Sequence, residues 1–130
     1  AVVLRAKLKH IDAYNHGRRR VAALYRKFLA DTDVITPHED GAGEHVYHQY
    51  TTITPQREKV QAHLQSKGIA CAVYYPIPLH QQKAFQKDCA GVSMPMSEHI
   101  AENCLSYPIF PEMTEKQVKT VCDAIKEALN

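Results

Sequence analysis

No stretch of this 130-residue chain approaches the ~20 consecutive apolar residues that a membrane-spanning helix requires. Its start does not read as a secretory leader either, because Arg5, Lys7 and Lys9 interrupt every short apolar run. Neither sign of charge is in clear excess. A formal charge of +2 supplies no concentrated basic face, so nucleic acid is not an expected partner. The four cysteines, Cys71, Cys89, Cys104 and Cys122, form no CxxC pair, which excludes a zinc knuckle and a dithiol redox motif. They read as reduced thiols acting as small hydrophobes, as in a cytoplasmic protein.

Catalytic signatures are equally sparse. The chain has no GxSxG nucleophile turn and no HExxH. Its GAG at 41–43 follows no hydrophobic strand and opens no helix, so it is not a phosphate loop. Eight histidines raise the question of metal. However, His45 and His48 would point to opposite faces of a strand, and His10 and His16 to opposed sides of a helix. No metal site is expected. The run Arg18-Arg19-Arg20 would spread around a helix axis, which reads as a solvated face with one arginine at an interface.

What is present fits one domain over residues 1–130, long enough to bury roughly two-thirds of its unfolded surface. The opening AVVLRAKLKHIDAYN reads as the interior of an amphipathic helix, with Leu4, Leu8, Ile11 and Asn15 at the three-and-four spacing of one face. No capping residue and no initiator methionine precede it, so the chain is expected to be cut from something longer. The pattern predicts one helix from residue 2 to about 30, with a bend or break at Gly17.

A short strand is expected over 34–36, a loop over 38–44 and a longer strand over 44–54. In the longer strand Val46, His48, Tyr50 and Thr52 share one face, and His45, Tyr47, Gln49, Thr51 and Ile53 the other. A helix follows, capped by Thr54, with Pro55 at its first position and Gly68 as its stop. IACAVYY at 69–75 reads as a strand. A helix over 97–107, capped by Ser97 or slightly earlier, and a last helix capped by Thr114 complete the chain. The order α-β-β-α-β-α-α predicts an α/β (α+β) fold: a small, mostly antiparallel sheet with helices packed on one side.

The stretch VYYPIPLHQQKAF, from Val73 to Phe85, interrupts this regular reading. Each proline fixes φ and removes an amide donor, and each pushes the residue before it towards extended geometry. A rigid exposed loop carrying tyrosine and imidazole groups outward is expected. Tyr47, His48, Tyr50, Tyr74, Tyr75 and His80 gather near the ends of two strands. They offer hydroxyl and imidazole groups beside flat apolar faces, which suits a sugar or a phosphate ester.

Four segments carry a family resemblance: LKHIDAYNHGRRRVAALYRKFL, HVYHQYT, LQSKGIACAVYYPIPLHQQKAF and CLSYPIFPEMTEKQVKTVCDAI. Together they resemble, in the same order, the C-terminal region of the DegT/DnrJ/EryC1/StrS family of pyridoxal-phosphate-dependent aminotransferases acting on nucleotide-linked keto sugars. The resemblance implies the small C-terminal domain of a fold-type-I aminotransferase. In the family the Schiff-base lysine, and the acidic partner of the pyridine nitrogen, belong to a large N-terminal domain. That domain is missing here, so no residue of this chain is expected to be catalytic and no pyridoxal phosphate is expected to be bound by it alone.

The resemblance also implies that this region helps close the active site and recognise the nucleotide sugar. It places Tyr74 where many relatives have histidine, which removes a possible positive charge. Tyr75 and His80 follow as hydrogen-bond partners of the sugar or diphosphate, and His48 as a substrate-side group. YYPIPLH is closest to enzymes of UDP-linked 3-keto sugars. Three readings follow: an inactive domain of a sugar aminotransferase, a stand-alone nucleotide-sugar-binding or dimerisation module, or an unrelated small enzyme using His48 and His80 as acid and base. Under the first two, apolar faces of helices 2–30 and 97–107 would be uncovered, and a homodimer is expected.

Overall fold

The computed structural model describes residues 1–130. Its first helical run is divided: α1 (Val2–Leu8) buries no residue, and α2 (Ile11–Phe28) is the long element. The division lies at Lys9–His10 rather than at Gly17. Gly17 sits inside α2 for a different reason, since a Cβ there would lie 2.7 Å from the Pro111 carbonyl oxygen. The glycine permits a close backbone approach and makes no break.

β1 (Tyr50–Ile53) is much shorter than the strand expected over 44–54. The alternation fails at Tyr47, whose φ of 48° turns its ring inward, so Tyr47 and Tyr50 are both buried while Val46 and His48 are exposed. Tyr47 Oη donates to Glu39 Oε1 at 2.7 Å and accepts from Arg26 at 3.0 Å, which satisfies its hydroxyl. The arginine run is also more engaged than expected. Arg18 donates to the Val46 carbonyl, Arg19 to the His45 carbonyl and Glu39, and Arg20 to the Met113 carbonyl. All three tie irregular chain to α2.

After Pro55 comes α3 (Arg57–Ser66), which stops where Gly68 takes a φ of 70°. Its N-cap is Gln56, two residues beyond the expected Thr54, and no side chain caps it. α4 (Pro95–Asn103) starts on Pro95, ahead of Ser97, and ends earlier than expected. The Asn103 amide folds back on the His99 carbonyl at 2.8 Å, and Cys104–Tyr107 become β2 instead of a last helical turn. Pro108 disfavours a helical Tyr107, and all four β2 residues are buried in the sheet, so tertiary pairing overrides the helical spacing.

β1 and β2 pair antiparallel, with Tyr50 opposite Tyr107 and Thr52 opposite Leu105. The strands expected near 35 and 72 survive only as single antiparallel bridges, Ile35 to Ile53 and Ala72 to Ser106, one at each edge. α5 (Glu115–Leu129) closes the chain. Its capping box joins Thr114 and Gln117, and its face of Val118, Val121, Cys122, Ile125 and Ala128 is buried.

α5 packs on α2 and α3, and the three helices cover the sheet face that bears Tyr50, Leu105 and Tyr107. Tyr25 of α2 stacks on Tyr50 at 4.8 Å and donates to the Pro108 carbonyl at 2.8 Å. Each fully buried Val, Leu or Ile here contributes about 1.5–3 kcal/mol. The expected small antiparallel sheet with helices on one side is the architecture found. No helix is long and apolar enough to cross a membrane.

Candidate functional site

Past the bridge at Ala72 the chain leaves the sheet edge and enters the proline segment. The Tyr74–Tyr75 peptide is cis, and the two rings meet edge-on with centroids 5.7 Å apart. Tyr75 is 73 % exposed and Tyr74 43 %. Two short 3-10 turns, Leu79–Gln81 and Lys83–Phe85, carry the chain towards α4.

The four expected site residues divide between two cavities. Tyr74 and His48 border one of about 360 Å³, together with Gln49, Cys71 and Ser106. Ser106 lies on the sheet face away from the helices, where its hydroxyl meets that of Thr51 at 2.8 Å. Tyr75 and His80 border the other, about 550 Å³ and mostly apolar, with Leu79, Phe85 and Ile100 on its wall. His48 and Gln49 also edge an open pocket beside His45 and Thr51. Tyr47 and Tyr50, part of the same tyrosine-histidine cluster in the sequence, belong to the core.

His80 does not project outward as the sequence suggests. It is 7 % exposed, and its Nε2 lies 2.9 Å from Glu98 Oε1 on α4. Glu98 is the residue that reading the sequence missed. Eighteen residues separate it from His80, and nothing in local spacing links a loop histidine to a carboxylate in the first turns of a later helix. The Met94 N–H, and then His80, hold the Glu98 carboxyl below the usual carboxylate range.

The cysteines are not activated as nucleophiles, and no metal-ligand cluster forms. All four cysteines are free, burial raises the Cys71 thiol, and burial pushes the Cys122 thiol up to about 12. No three His, Cys, Asp or Glu side chains converge as metal ligands. What the geometry offers is directional hydrogen bonding and aromatic area on two adjoining concave surfaces.

The fold matches about a third of the length of solved aminotransferases. A crystal structure of S. venezuelae DesV in complex with a ketimine intermediate superposes with a TM-score of 0.90 at 33 % identity, covering 96 % of this chain and 34 % of that one. The family model for DegT/DnrJ/EryC1/StrS aminotransferases matches residues 1–126, and the chain belongs to this family.

It is similar to the UDP-N-acetyl-3-dehydro-alpha-D-glucosamine 3-aminotransferase of Acidithiobacillus ferrooxidans, 43 % identical over 130 residues, which are all of this chain and 35 % of that protein. It is also similar to a pleiotropic regulatory protein of Geobacillus stearothermophilus, 40 % identical over 131 residues, covering 98 % of this chain and 35 % of that one. The chain thus spans about a third of the length of the curated relatives it matches.

The family implies pyridoxal phosphate, and the residues present do not fit it. A Schiff-base lysine needs an apolar setting that lowers its pKa. Every lysine here is exposed except Lys126, which is half-buried and paired with Asp31 at 2.6 Å.

Proposed function

We propose that this chain is the C-terminal small domain of a pyridoxal-phosphate-dependent aminotransferase acting on nucleotide-linked keto sugars. In this reading it recognises substrate and helps close the active site, while a cofactor domain outside the chain performs the chemistry. The carrying observation is the family match over residues 1–126, with a relative that aminates a UDP-linked 3-keto sugar aligned along the whole chain. The exposed lysines support placing the Schiff base elsewhere.

Tyr74, Tyr75, His48 and His80 would meet the substrate from the two cavities that adjoin the Tyr74–Tyr75 segment. Hydroxyls and ring nitrogens suit the sugar and diphosphate oxygens, and Tyr75 and Phe85 offer flat apolar area. Tyr74, in place of the family's common histidine, gives a neutral hydrogen bond where a cation would otherwise act.

Titration of the chain with UDP-N-acetylglucosamine, followed by NMR, tests this. Shifts clustered on His48, Tyr74 and Tyr75 are the expected result, and removal of one such contact by His48→Ala is expected to weaken binding about tenfold. Shifts confined to other surfaces would remove the recognition role. Turnover of an amino donor and a UDP-linked 3-keto sugar by this chain with no second protein would overturn the division of labour.

A further inference from the structure

The segment from Tyr74 to Met94 is unusual in how little holds it. From Tyr74 to Ser93 its backbone hydrogen bonds are all local, from the Gln81 N–H donating to the Pro78 carbonyl to the Val92 N–H donating to the Cys89 carbonyl. Neither 3-10 turn exceeds three residues. No ladder ties this strap to the sheet, and no α-helix of its own stiffens it. Among its residues only His80 is buried.

One side-chain hydrogen bond joins the interior of the strap to the rest of the molecule, from His80 Nε2 to Glu98 Oε1 at 2.9 Å. The other side-chain bond within it, Gln82 to the Ile77 carbonyl, is internal. Glu98 is itself firmly mounted. The same carboxylate oxygen accepts from the Met94 N–H at 2.9 Å, and the Glu98 N–H donates to the Met94 carbonyl at 3.0 Å. The carboxylate is therefore fixed to the first turns of α4 before it meets the histidine, and a preorganised acceptor loses little entropy on forming the bond.

We propose that Glu98 is a positioning residue. It holds His80 inward, and through His80 it fixes the strap that carries Tyr74 and Tyr75 to the edges of the two cavities. The effect on ligand binding rests on the function proposed above; the ordering of the strap does not.

Limited trypsin digestion of the intact chain reads the ordering directly. Lys83 and Lys87 lie exposed within the strap, and Lys59 lies in α3 as an internal reference. Glu98→Ala is expected to speed cleavage at Lys83 and Lys87 about tenfold, with Lys59 unchanged. Glu98→Gln keeps an acceptor for Met94 and His80 and is expected to restore most of the protection. In two-bond nitrogen–proton spectra the His80 Nε2 resonance should move in Glu98→Ala and stay near its wild-type position in Glu98→Gln.

Unchanged cleavage at Lys83 and Lys87, or an equal rise at Lys59, would overturn the proposal. Should Glu98→Ala fail to fold, His80→Ala gives the same strap-specific reading, and protection equal to wild type there would overturn it too. UDP-N-acetylglucosamine titration separates the two claims. Absence of binding by the wild type counts against the proposed function and leaves the latch standing. Equal binding by wild type and a loosened Glu98→Ala strap sinks the positioning role alone.

Discussion

Gly17 shows how a single residue can carry two opposing effects whose sum is decided by magnitude. Replacing it with alanine improves helix propensity by about 1 kcal/mol. The added Cβ would lie 2.7 Å from the Pro111 carbonyl oxygen and 2.8 Å from its Cα, both backbone atoms that cannot rotate away. Overpacking of this kind costs about 1–3 kcal/mol. Gly17→Ala is therefore expected to destabilise the chain by up to about 2 kcal/mol, read as a lower denaturation midpoint in urea. A raised midpoint would mean that the 108–113 segment yields easily. Cys122, buried on α5, behaves as the sequence suggested, as a small core hydrophobe with a suppressed thiolate.

Among the elements, those with strong local signals were legible in the sequence. α5 was readable because Thr114 offers a cap and the apolar positions recur at helical spacing, and both features hold. α3 stops at Gly68 for the expected reason, although its start is shifted. Thr114→Ala removes an acceptor of the Gln117 N–H at 3.3 Å and should cost about 1 kcal/mol. Because α5 packs on both other core helices, the loss should appear in the global unfolding midpoint rather than as local fraying. An unchanged midpoint would show the box to be dispensable.

The illegible elements share a cause. β2 lies in a stretch whose spacing reads as helical, and it becomes a strand through pairing with residues more than fifty positions earlier. Tyr47 breaks the expected strand by adopting a positive φ that its contacts with Glu39 and Arg26 accompany. The His80–Glu98 bond is invisible for the same reason, since it is a meeting of two distant segments. Local propensity marks where elements are permitted, and long-range partners choose among them.

At the scale of the whole molecule, the uncovered surface stands out. Val2, Leu4 and Leu8 of α1 are each more than two-thirds exposed, and Ile11 at the start of α2 is 40 % exposed. Ile77 and Leu79 on the strap, and Met96 and Ile100 on α4, are exposed as well. Exposed apolar side chains in such numbers favour association in water. The isolated chain is expected to sediment as a dimer at high concentration, and Leu4→Glu with Leu8→Glu should return it to a monomer. A wild-type chain that sediments as a monomer throughout would contradict this.

The strap between the sheet edge and α4 has a consequence for which changes the fold can absorb. A run of chain whose main-chain bonds all close upon themselves can be lengthened, recharged or swapped as a cassette, while the helices behind it keep their packing. Substitutions confined to that cassette are then expected to leave the packing of α2, α3 and α5 as it is, so long as the buried His80 keeps its place.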